Sequence, residues 1–248
     1  MATNSDSVSD GLWNLPASGF PDRATLYWDI VAKALSASEP LDILEIGVFR
    51  AGLIQGLMGR RDVQVRSYTG VDPYLGSRGD SYLGSYWNNR ADAEADYRSA
   101  SLVFKQFAGA ELIRARSHEY FQQSGSRTWD VIIIDGDHRY GPALWDLHHW
   151  FKRLRPGGLL VADDYANSDT PEVTRAVNDF LARNTTAVAR SGYRVLPFQN
   201  YGKQIPIALT VVFFEKLQSH DTGAWPYRHP PGPFLQIMKG LVRAMLGR

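Results

Sequence analysis

The stretch that decides the fold is residues 41–73, which read LDILEIGVFRAGLIQGLMGRRDVQVRSYTGVDP. It begins with a short, mostly apolar run, Leu41–Ile46, that leads directly into Gly47, and a second run that predicts a strand covers residues 63–71. Residues 51–60, between the two runs, favour a helix. Two strands separated by one helix form a βαβ unit, and this connection implies that the strands are parallel.

The same alternation of strand and helix continues along the chain. Further strands are predicted over residues 111–115, 129–134 and 159–162, and further helices over residues 21–36, 90–107, 140–154 and 172–184. The last two apolar runs, residues 193–198 and 208–215, are joined by a stretch that contains Gly, Asn and Pro, and they predict an antiparallel pair. We therefore expect an α/β protein with a doubly wound, seven-stranded, mostly parallel sheet of the Rossmann-like type and a terminal antiparallel strand.

The composition of the 248 residues is that of an ordinary globular protein, with 44% hydrophobic and 21% charged residues. Cysteine is absent, which excludes disulfides, zinc–thiolate sites and thiol nucleophiles, so any metal must bind through oxygen or imidazole. The formal net charge of +1 gives no electrostatic footprint for nucleic acid. No apolar run approaches the roughly 18 residues that cross a bilayer, and residues 1–10 lack a secretion signal. We therefore expect a cytoplasmic protein.

The chain divides into three predicted parts. Residues 1–20 are expected to be a flexible leader, residues 21–216 a single folded domain, and residues 217–248 a Pro-rich segment followed by an amphipathic helix. For that helix, packing on its own domain or on a twin subunit is favoured over a membrane-surface or partner-binding role. Residues 76–89, which are rich in Gly, Ser and aromatic residues, predict a binding loop or lid.

Small and acidic residues follow the first three predicted strands, at the edge where open parallel sheets bind their ligands. Gly47 follows the first strand and allows the backbone to approach a ligand closely, because it has no Cβ. Asp72 follows the second strand, where its carboxylate can accept both hydroxyls of a ribose. Ser117 follows the third strand, where its side chain can reach an adenine edge. This pattern predicts a site for a nucleoside cofactor.

An NAD-dependent oxidoreductase is the first alternative for such a sheet. Its phosphate-binding turn requires the pattern G-x-G-x-x-G, whereas residues 47–52 read GVFRAG and lack the second glycine. A nucleoside cofactor without a pyrophosphate therefore fits this turn better. A non-catalytic protein that keeps the fold as an interaction module is the second alternative, and the amphipathic C-terminal helix leaves it open.

Acidic residues and an imidazole follow two neighbouring strands. Directly after the fourth and fifth predicted strands come Asp135, Asp137, His138, Asp163 and Asp164. Neighbouring parallel strands lie about 5 Å apart, so Asp135, Asp163 and Asp164 are expected to converge. Three carboxylates in one cleft repel each other unless a cation neutralises them, and Mg²⁺ prefers such oxygen ligands. Taken alone, Asp135 is better explained as a cap of the following helix and Asp163 as the end of a strand, but together the aspartates favour a metal site.

Four segments resemble the successive motifs of class I S-adenosylmethionine-dependent methyltransferases. They are LEIGVFRAG (44–52), TGVDP (69–73), IDGDHRY (134–140) and LRPGGLLVADDY (154–165). More narrowly, these segments resemble the bacterial metal-dependent O-methyltransferases of sugars and natural products, with the catechol and caffeoyl-CoA enzymes as more distant relatives. The resemblance covers residues 41–165, about half of the chain, and its last two motifs are the specific ones.

The resemblance implies Mg²⁺-dependent transfer of a methyl group from S-adenosylmethionine to a hydroxyl of a small molecule. The acceptor would be a sugar, a glycosylated natural product or a catechol-like phenol. The implied metal ligands are Asp135, Asp163 and Asp164. The predicted cofactor-binding residues are Glu45, Gly47, Asp72, Ser117 and Asp135. A homo-oligomer formed through the C-terminal helix is an expected assembly, and no nucleic-acid partner is expected.

The resemblance leaves two residues as candidates for the catalytic base. Some relatives carry a basic residue at the position of His138, and others an acidic residue at the position of Asp137. Histidine is the better default base near neutral pH, and a carboxylate beside Mg²⁺ is acidified. We therefore favour His138 and keep Asp137 as the alternative. Tyr165, next to the aspartate pair, is expected to line the acceptor pocket.

Overall fold

The computed structural model describes residues 23–35, 39–75, 87, 89–165, 167, 170–184, 187–199 and 206–216. Of residues 33, 34, 189–199 and 206–215 only the backbone is described. The predictions for the leader, for most of the loop at 76–89 and for the segment 217–248 lie outside these ranges. None of the described helices is both long and apolar enough to span a bilayer.

Helices and strands alternate along the described chain. Their bounds are α1 Arg23–Leu35, β1 Leu41–Ile46, α2 Gly52–Gln55, β2 Val65–Val71, α3 Arg90–Phe104, β3 Ala110–Ile113, α4 Ser117–Gln123, β4 Trp129–Ile134, α5 Tyr140–Arg153, β5 Leu154–Ala162, α6 Pro171–Arg183, β6 Val188–Gln199 and β7 Pro206–Lys216. The predicted strand β1 is confirmed at both ends, whereas α2 has only four residues where ten were predicted. Gly56 and Gly59 follow it in a series of turns, and Gly59 has a φ of +79°.

The strands form one sheet in the order β3-β2-β1-β4-β5-β7-β6. The neighbours from β3 to β5 are all parallel, which confirms the Rossmann-like prediction. Strand β7 runs antiparallel to both β5 and β6. The chain winds outward in one direction through β1, β2 and β3 and in the other from β4, so the topological switch lies between β1 and β4. Ligands of such sheets bind beside the carboxyl ends of the strands at this switch.

Both faces of the sheet are covered by apolar side chains, because helices pack on each side. Ile43 of β1 and Val131 of β4 point into one cluster, which also contains Trp28 of α1. Leu44 and Ile132, one residue further along the same strands, point into the opposite cluster. Burial on both faces explains why a strand such as β4 is apolar at consecutive positions, from Val131 to Ile134, rather than alternating between apolar and polar residues.

The segment Pro156-Gly157-Gly158 lies within a strand. The sequence predicts a strand over residues 159–162, whereas β5 begins earlier, at Leu154, immediately after α5. Trp129 pairs with Leu154, and Val131 pairs with Leu159, so β5 accommodates three extra residues in a bulge. A Cβ on Gly158 would lie 2.8 Å from the Asp130 carbonyl oxygen, which explains a glycine in this bulge.

Candidate functional site

The carboxyl ends of four neighbouring strands are joined by backbone hydrogen bonds one residue beyond each strand. Asp135 N donates to Ile46 O over 2.8 Å, and Asp163 N donates to Ile134 O over 2.9 Å. Gly47 N donates in the same way to Val71 O over 2.9 Å. Gly47, Asp135 and Asp163 therefore lie side by side along one edge of the sheet, as the spacing of the sequence motifs predicts.

Gly47 is required by its contact with the end of β4. Its φ is +89°, and a Cβ at this position would lie 1.9 Å from the carbonyl oxygen of Asp135. The predicted reason for this glycine was a close approach to a ligand. The structure gives another reason, since the close approach is to the backbone of Asp135.

Three carboxylates, those of Asp135, Asp163 and Asp164, form what we call the carboxylate centre. Arg23 of α1 contacts two of them: its Nη2 pairs with Asp135 Oδ2 and lies 2.8 Å from Asp163 Oδ2. His138 Nε2 lies 2.9 Å from Asp164 Oδ2 and 3.9 Å from Asp135 Oδ1. The expected convergence of the three aspartates is thus present, and two cationic side chains accompany it.

The electrostatics of the centre follow from burial and from these pairs. Burial raises the pKa of Asp163 to about 7, although the charge of Arg23 opposes the rise. Burial alone would lower the pKa of His138, but its bonds to Asp135 and Asp164 outweigh burial and raise that pKa to about 10. Burial likewise disfavours the charge of Arg23, and the carboxylates of Asp135 and Asp163 hold its pKa above the usual value. Arg23 and His138 are therefore both cationic near neutral pH.

A divalent cation fits the donor atoms of the centre. One ligand atom each from Asp135, His138 and Asp164 lies within 4.8 Å of the others. Asp163 Oδ2 is buried and accepts no hydrogen bond from any described residue, although Arg23 lies near it. Carboxylate oxygen is the preferred ligand of Mg²⁺. The grouping differs from the predicted metal ligands, because His138 joins Asp135 and Asp164 while Asp163 faces Arg23.

The second candidate base, Asp137, is turned toward Arg139. Its Oδ1 accepts hydrogen bonds from Arg139 N over 3.0 Å and from Arg139 Nε over 2.8 Å. The guanidinium also pairs with Asp137 Oδ2. Asp137 is therefore engaged by Arg139, whereas His138 Nε2 faces the carboxylates of Asp135 and Asp164, so the geometry favours His138 over Asp137 as the candidate base.

Asp72 organises the loops that follow β1 and β2. Its Oδ2 accepts hydrogen bonds from Val48 N over 3.0 Å and from Phe49 N over 2.9 Å, and its Oδ1 accepts one from Tyr74 N over 2.8 Å. A carboxylate has about four lone-pair sites, so one remains here. The expectation that Asp72 accepts both hydroxyls of a ribose stays a prediction, and in this arrangement one lone pair is open to a hydroxyl.

The other two predicted cofactor-binding side chains also have partners inside the protein. Tyr68 donates a 2.7 Å hydrogen bond to Glu45 Oε2 within the sheet, and Glu45 is only 1% exposed. Ser117, the first residue of α4, donates to Asp146 and accepts a 2.8 Å hydrogen bond from Trp150 Nε1. A hydroxyl has two lone pairs, so Ser117 keeps one acceptor position for a ligand.

Backbone strain is concentrated near this edge of the sheet. Four described non-glycine residues have positive φ, namely Phe49, Ala51, Tyr74 and Asp164, and all of them follow a strand of the parallel sheet. Asp164, with a φ of +60°, is held by a 2.9 Å hydrogen bond from Asn167 Nδ2 to its Oδ1. Such conformations cluster at functional sites, where surrounding contacts maintain them.

Trp87, from the predicted binding loop, and Tyr165, which is expected to line the acceptor pocket, both contact other residues of the protein. Trp87, a described residue of the predicted lid, is buried between the rings of Phe49 and Tyr74, with centroid distances of 5.8 and 5.6 Å. Tyr165 donates a 3.1 Å hydrogen bond to Asn178 Oδ1 of α6. For Trp87 the structure favours packing of the loop over contact with a substrate.

Arg23 and Tyr27 are the site residues that the sequence did not reveal. Tyr27 is fully buried, and burial together with the nearby carboxylate of Asp163 raises its pKa well above the usual value. Both residues belong to a helix that lies more than one hundred positions before Asp135 in the chain. An amphipathic pattern places them on a helix, but no local signal connects that helix to the ends of β4 and β5.

Comparison with known proteins gives relatives over the central part of the chain. A family model described as a methyltransferase domain matches residues 44–165. An uncharacterized protein of Acanthamoeba polyphaga mimivirus is 24% identical over 151 residues, which are 58% of this chain and 61% of that protein. Mycinamicin III 3''-O-methyltransferase of Micromonospora griseorubida is 27% identical over 170 residues, which are 62% of this chain and 65% of that enzyme. The match thus spans less than two thirds of either curated relative.

A solved structure supports the fold. The O-methyltransferase from Bacillus cereus, determined in complex with SAH, superposes with a TM-score of 0.50 at 16% sequence identity. The superposition covers 82% of this chain and 84% of that enzyme. The likeness extends beyond residues 44–165 and agrees with the strand order described above.

Proposed function

We infer that this chain, whose residues 44–165 are a methyltransferase domain, transfers the methyl group of S-adenosylmethionine to a hydroxyl of a small molecule at a centre that holds Mg²⁺. The observation that carries this proposal is the contact between Gly47 and Asp135. It makes the turn after β1, where the cofactor is expected, contiguous with the carboxylate centre, where the acceptor is expected. Donor and acceptor would then be held together, which is the main contribution of an enzyme to such a transfer.

The cofactor would lie along the loops after β1, β2 and β3. The remaining lone pair of Asp72 suits one ribose hydroxyl, and the remaining lone pair of Ser117 suits the amino group of adenine. Glu45 would act from within the sheet, because its carboxyl is bonded to Tyr68 and does not reach the edge. Asp135 would border both the cofactor and the acceptor, since it lies against Gly47.

Asp135, Asp164 and Asp163 would hold the Mg²⁺ ion, with His138 beside them. The ion, when bound, lowers the pKa of an acceptor hydroxyl. His138 Nε2 is the atom proposed to accept the hydroxyl proton, and it can do so only when the charges of Asp135 and Asp164 are neutralised. While these two carboxylates keep their charges, the pKa of His138 is about 10 and the ring keeps its proton.

The proposed methyl transfer is a single displacement at the methyl carbon. The acceptor oxygen forms a bond to the methyl carbon as the bond from that carbon to the sulfonium sulfur breaks. The hydroxyl proton passes to His138 Nε2, and the products are S-adenosylhomocysteine and a methyl ether. Mycinamicin III 3''-O-methyltransferase methylates an oxygen, as its name states, and this likeness supports a hydroxyl acceptor from sugar or natural-product chemistry.

Calorimetric titration of S-adenosylmethionine, with and without Mg²⁺, tests the cofactor. Binding is expected in both conditions, and its absence would overturn the proposal. Transfer from cofactor with a labelled methyl group, measured against sugars, catechols and glycosylated natural products, tests the acceptor. Nicotinamide cofactors are expected not to shift the melting temperature, and a shift with NAD alone would favour an oxidoreductase.

A further inference from the structure

Arg23 is the charged link between α1 and the ends of β4 and β5. Its Nη2 pairs with Asp135 Oδ2 and lies 2.8 Å from Asp163 Oδ2. The side chain of Asp163 is only 1% exposed, so solvent screens this charge poorly. Arg23 thereby supplies positive charge to two carboxylates that otherwise repel each other.

A divalent cation needs the same oxygen atoms. Mg²⁺ binds carboxylate oxygens at about 2.1 Å, and the guanidinium of Arg23 already contacts Asp135 Oδ2 and Asp163 Oδ2. An ion among these oxygens would lie within a few ångströms of Arg23 Nη2. Two cations at that separation in a buried site repel each other strongly, so the metal ion and the guanidinium of Arg23 exclude each other.

Two buried donors beside this contact, Arg23 Nε and the Tyr27 hydroxyl, form no hydrogen bond with the described residues. Asp163 Oδ2 is also buried without a hydrogen bond, and it has only the charge of Arg23 Nη2, 2.8 Å away, beside it. Buried donors and acceptors without a hydrogen bond lower the stability of the folded state. The guanidinium of Arg23 therefore satisfies the polar atoms of the carboxylate centre only in part, and a ligand that binds the carboxylates better can replace it.

We propose that Arg23 is the resident cation of the carboxylate centre and that a divalent metal displaces it, so that metal binding frees the first turn of α1 from the sheet. The proposal rests on the metal of the proposed function. It adds a coupling between the carboxylate centre and α1, because Arg23 and the metal compete for the same oxygen atoms. Contacts that hold Arg23 in place therefore weaken metal binding, and metal binding loosens α1.

Calorimetric titration of Mn²⁺ into the full chain tests this competition. R23Q removes the competing charge and is expected to bind Mn²⁺ at least ten times more tightly than the unchanged chain. R60Q is the matched control, because Arg60 pairs with Asp29 of the same helix over 2.7 Å, away from the centre. It is expected to bind Mn²⁺ like the unchanged chain. Equal or weaker binding by R23Q would overturn the proposal.

Two further measurements keep the test decisive. In the unchanged chain, Mn²⁺ is expected to speed amide hydrogen exchange at residues 23–27, and no change there would also overturn the proposal, even if R23Q fails to fold. In melting experiments, Mn²⁺ should raise the melting temperature of R23Q more than that of R60Q. If no variant binds Mn²⁺, the metal is lost from the proposed function as well, whereas binding of S-adenosylmethionine by the same samples would preserve the methyl donor.

Discussion

Tyr68 donates a 2.7 Å hydrogen bond to a carboxyl group, that of Glu45, in the middle of the sheet. Neither side chain reaches solvent, and burial raises the pKa of Glu45 to about 8 despite this bond. Glu45 therefore keeps a proton in the folded protein at pH values where it loses the proton in the unfolded chain.

This difference makes stability depend on pH. Between the unfolded pKa of about 4.3 and the folded pKa of about 8, the folded state binds the extra proton, so the Glu45 contribution falls as pH rises. The slope of the free energy of unfolding against pH is at most about 1.4 kcal/mol per pH unit.

E45Q keeps an acceptor for Tyr68 and removes the titration. It should gain stability relative to the unchanged chain from pH 5 to pH 8 in urea denaturation with chelator present, and parallel curves would refute this account.

Gly47 should not tolerate a side chain. G47A places a Cβ 1.9 Å from the Asp135 carbonyl oxygen and imposes a positive φ on alanine. We expect a loss of at least about 2 kcal/mol in the free energy of unfolding, together with loss of cofactor binding. G52A is the control, because no atom outside its own helix lies within 4 Å of a Cβ there. Denaturation of both variants checks the prediction, and a stable G47A would contradict the described contact.

Asp72 should matter to the fold as well as to the cofactor. D72N presents one carbonyl oxygen, so at least one of the three backbone N–H groups bonded to Asp72 loses its acceptor. The expected loss of stability is about 1–3 kcal/mol. D62N, which alters a side chain that is 54% exposed and paired with Arg60, should cost less than about 1 kcal/mol. Similar losses in the two variants would argue against the loop-organising role.

Two substitutions distinguish His138 from Asp137 as the proposed catalytic base. H138Q removes the proposed proton acceptor and should lower kcat by about 10²- to 10⁴-fold, with little change in affinity for S-adenosylmethionine. D137N changes a carboxylate held by Arg139 and should keep kcat within a few-fold. Steady-state rates on an identified acceptor give the comparison. The reverse order of effects would make Asp137 the base.

The strand ends were predictable from the sequence, whereas the partners of their side chains were not. The apolar residues of Leu41–Ile46 and of the run before Asp135 lie on both faces of the covered sheet, and the two runs end at Gly47 and at Asp135. The convergence of Asp135 and Asp163 follows from parallel pairing alone. The partners of Asp72 are backbone N–H groups, which carry no sequence signal.

Other differences come from short or distant elements. The seven-residue helix α4 was not predicted, because it spans too few turns to show a period. The bulge at Pro156-Gly157-Gly158 has the composition of a turn, so the sequence predicts a strand only from residue 159 onward. Arg23 reaches Asp135 across 112 positions of the chain, and only the packing of α1 on the sheet brings them together.

The two apolar clusters on opposite faces of the sheet have a consequence for engineering this protein. Residues such as Trp28 in one cluster and Trp150 in the other share no contact face, since the sheet separates them. Stability changes at distant, independent positions add. Substitutions that improve packing could therefore be selected separately in each half and combined, and their summed gain would offset the stability lost to substitutions at the strand ends.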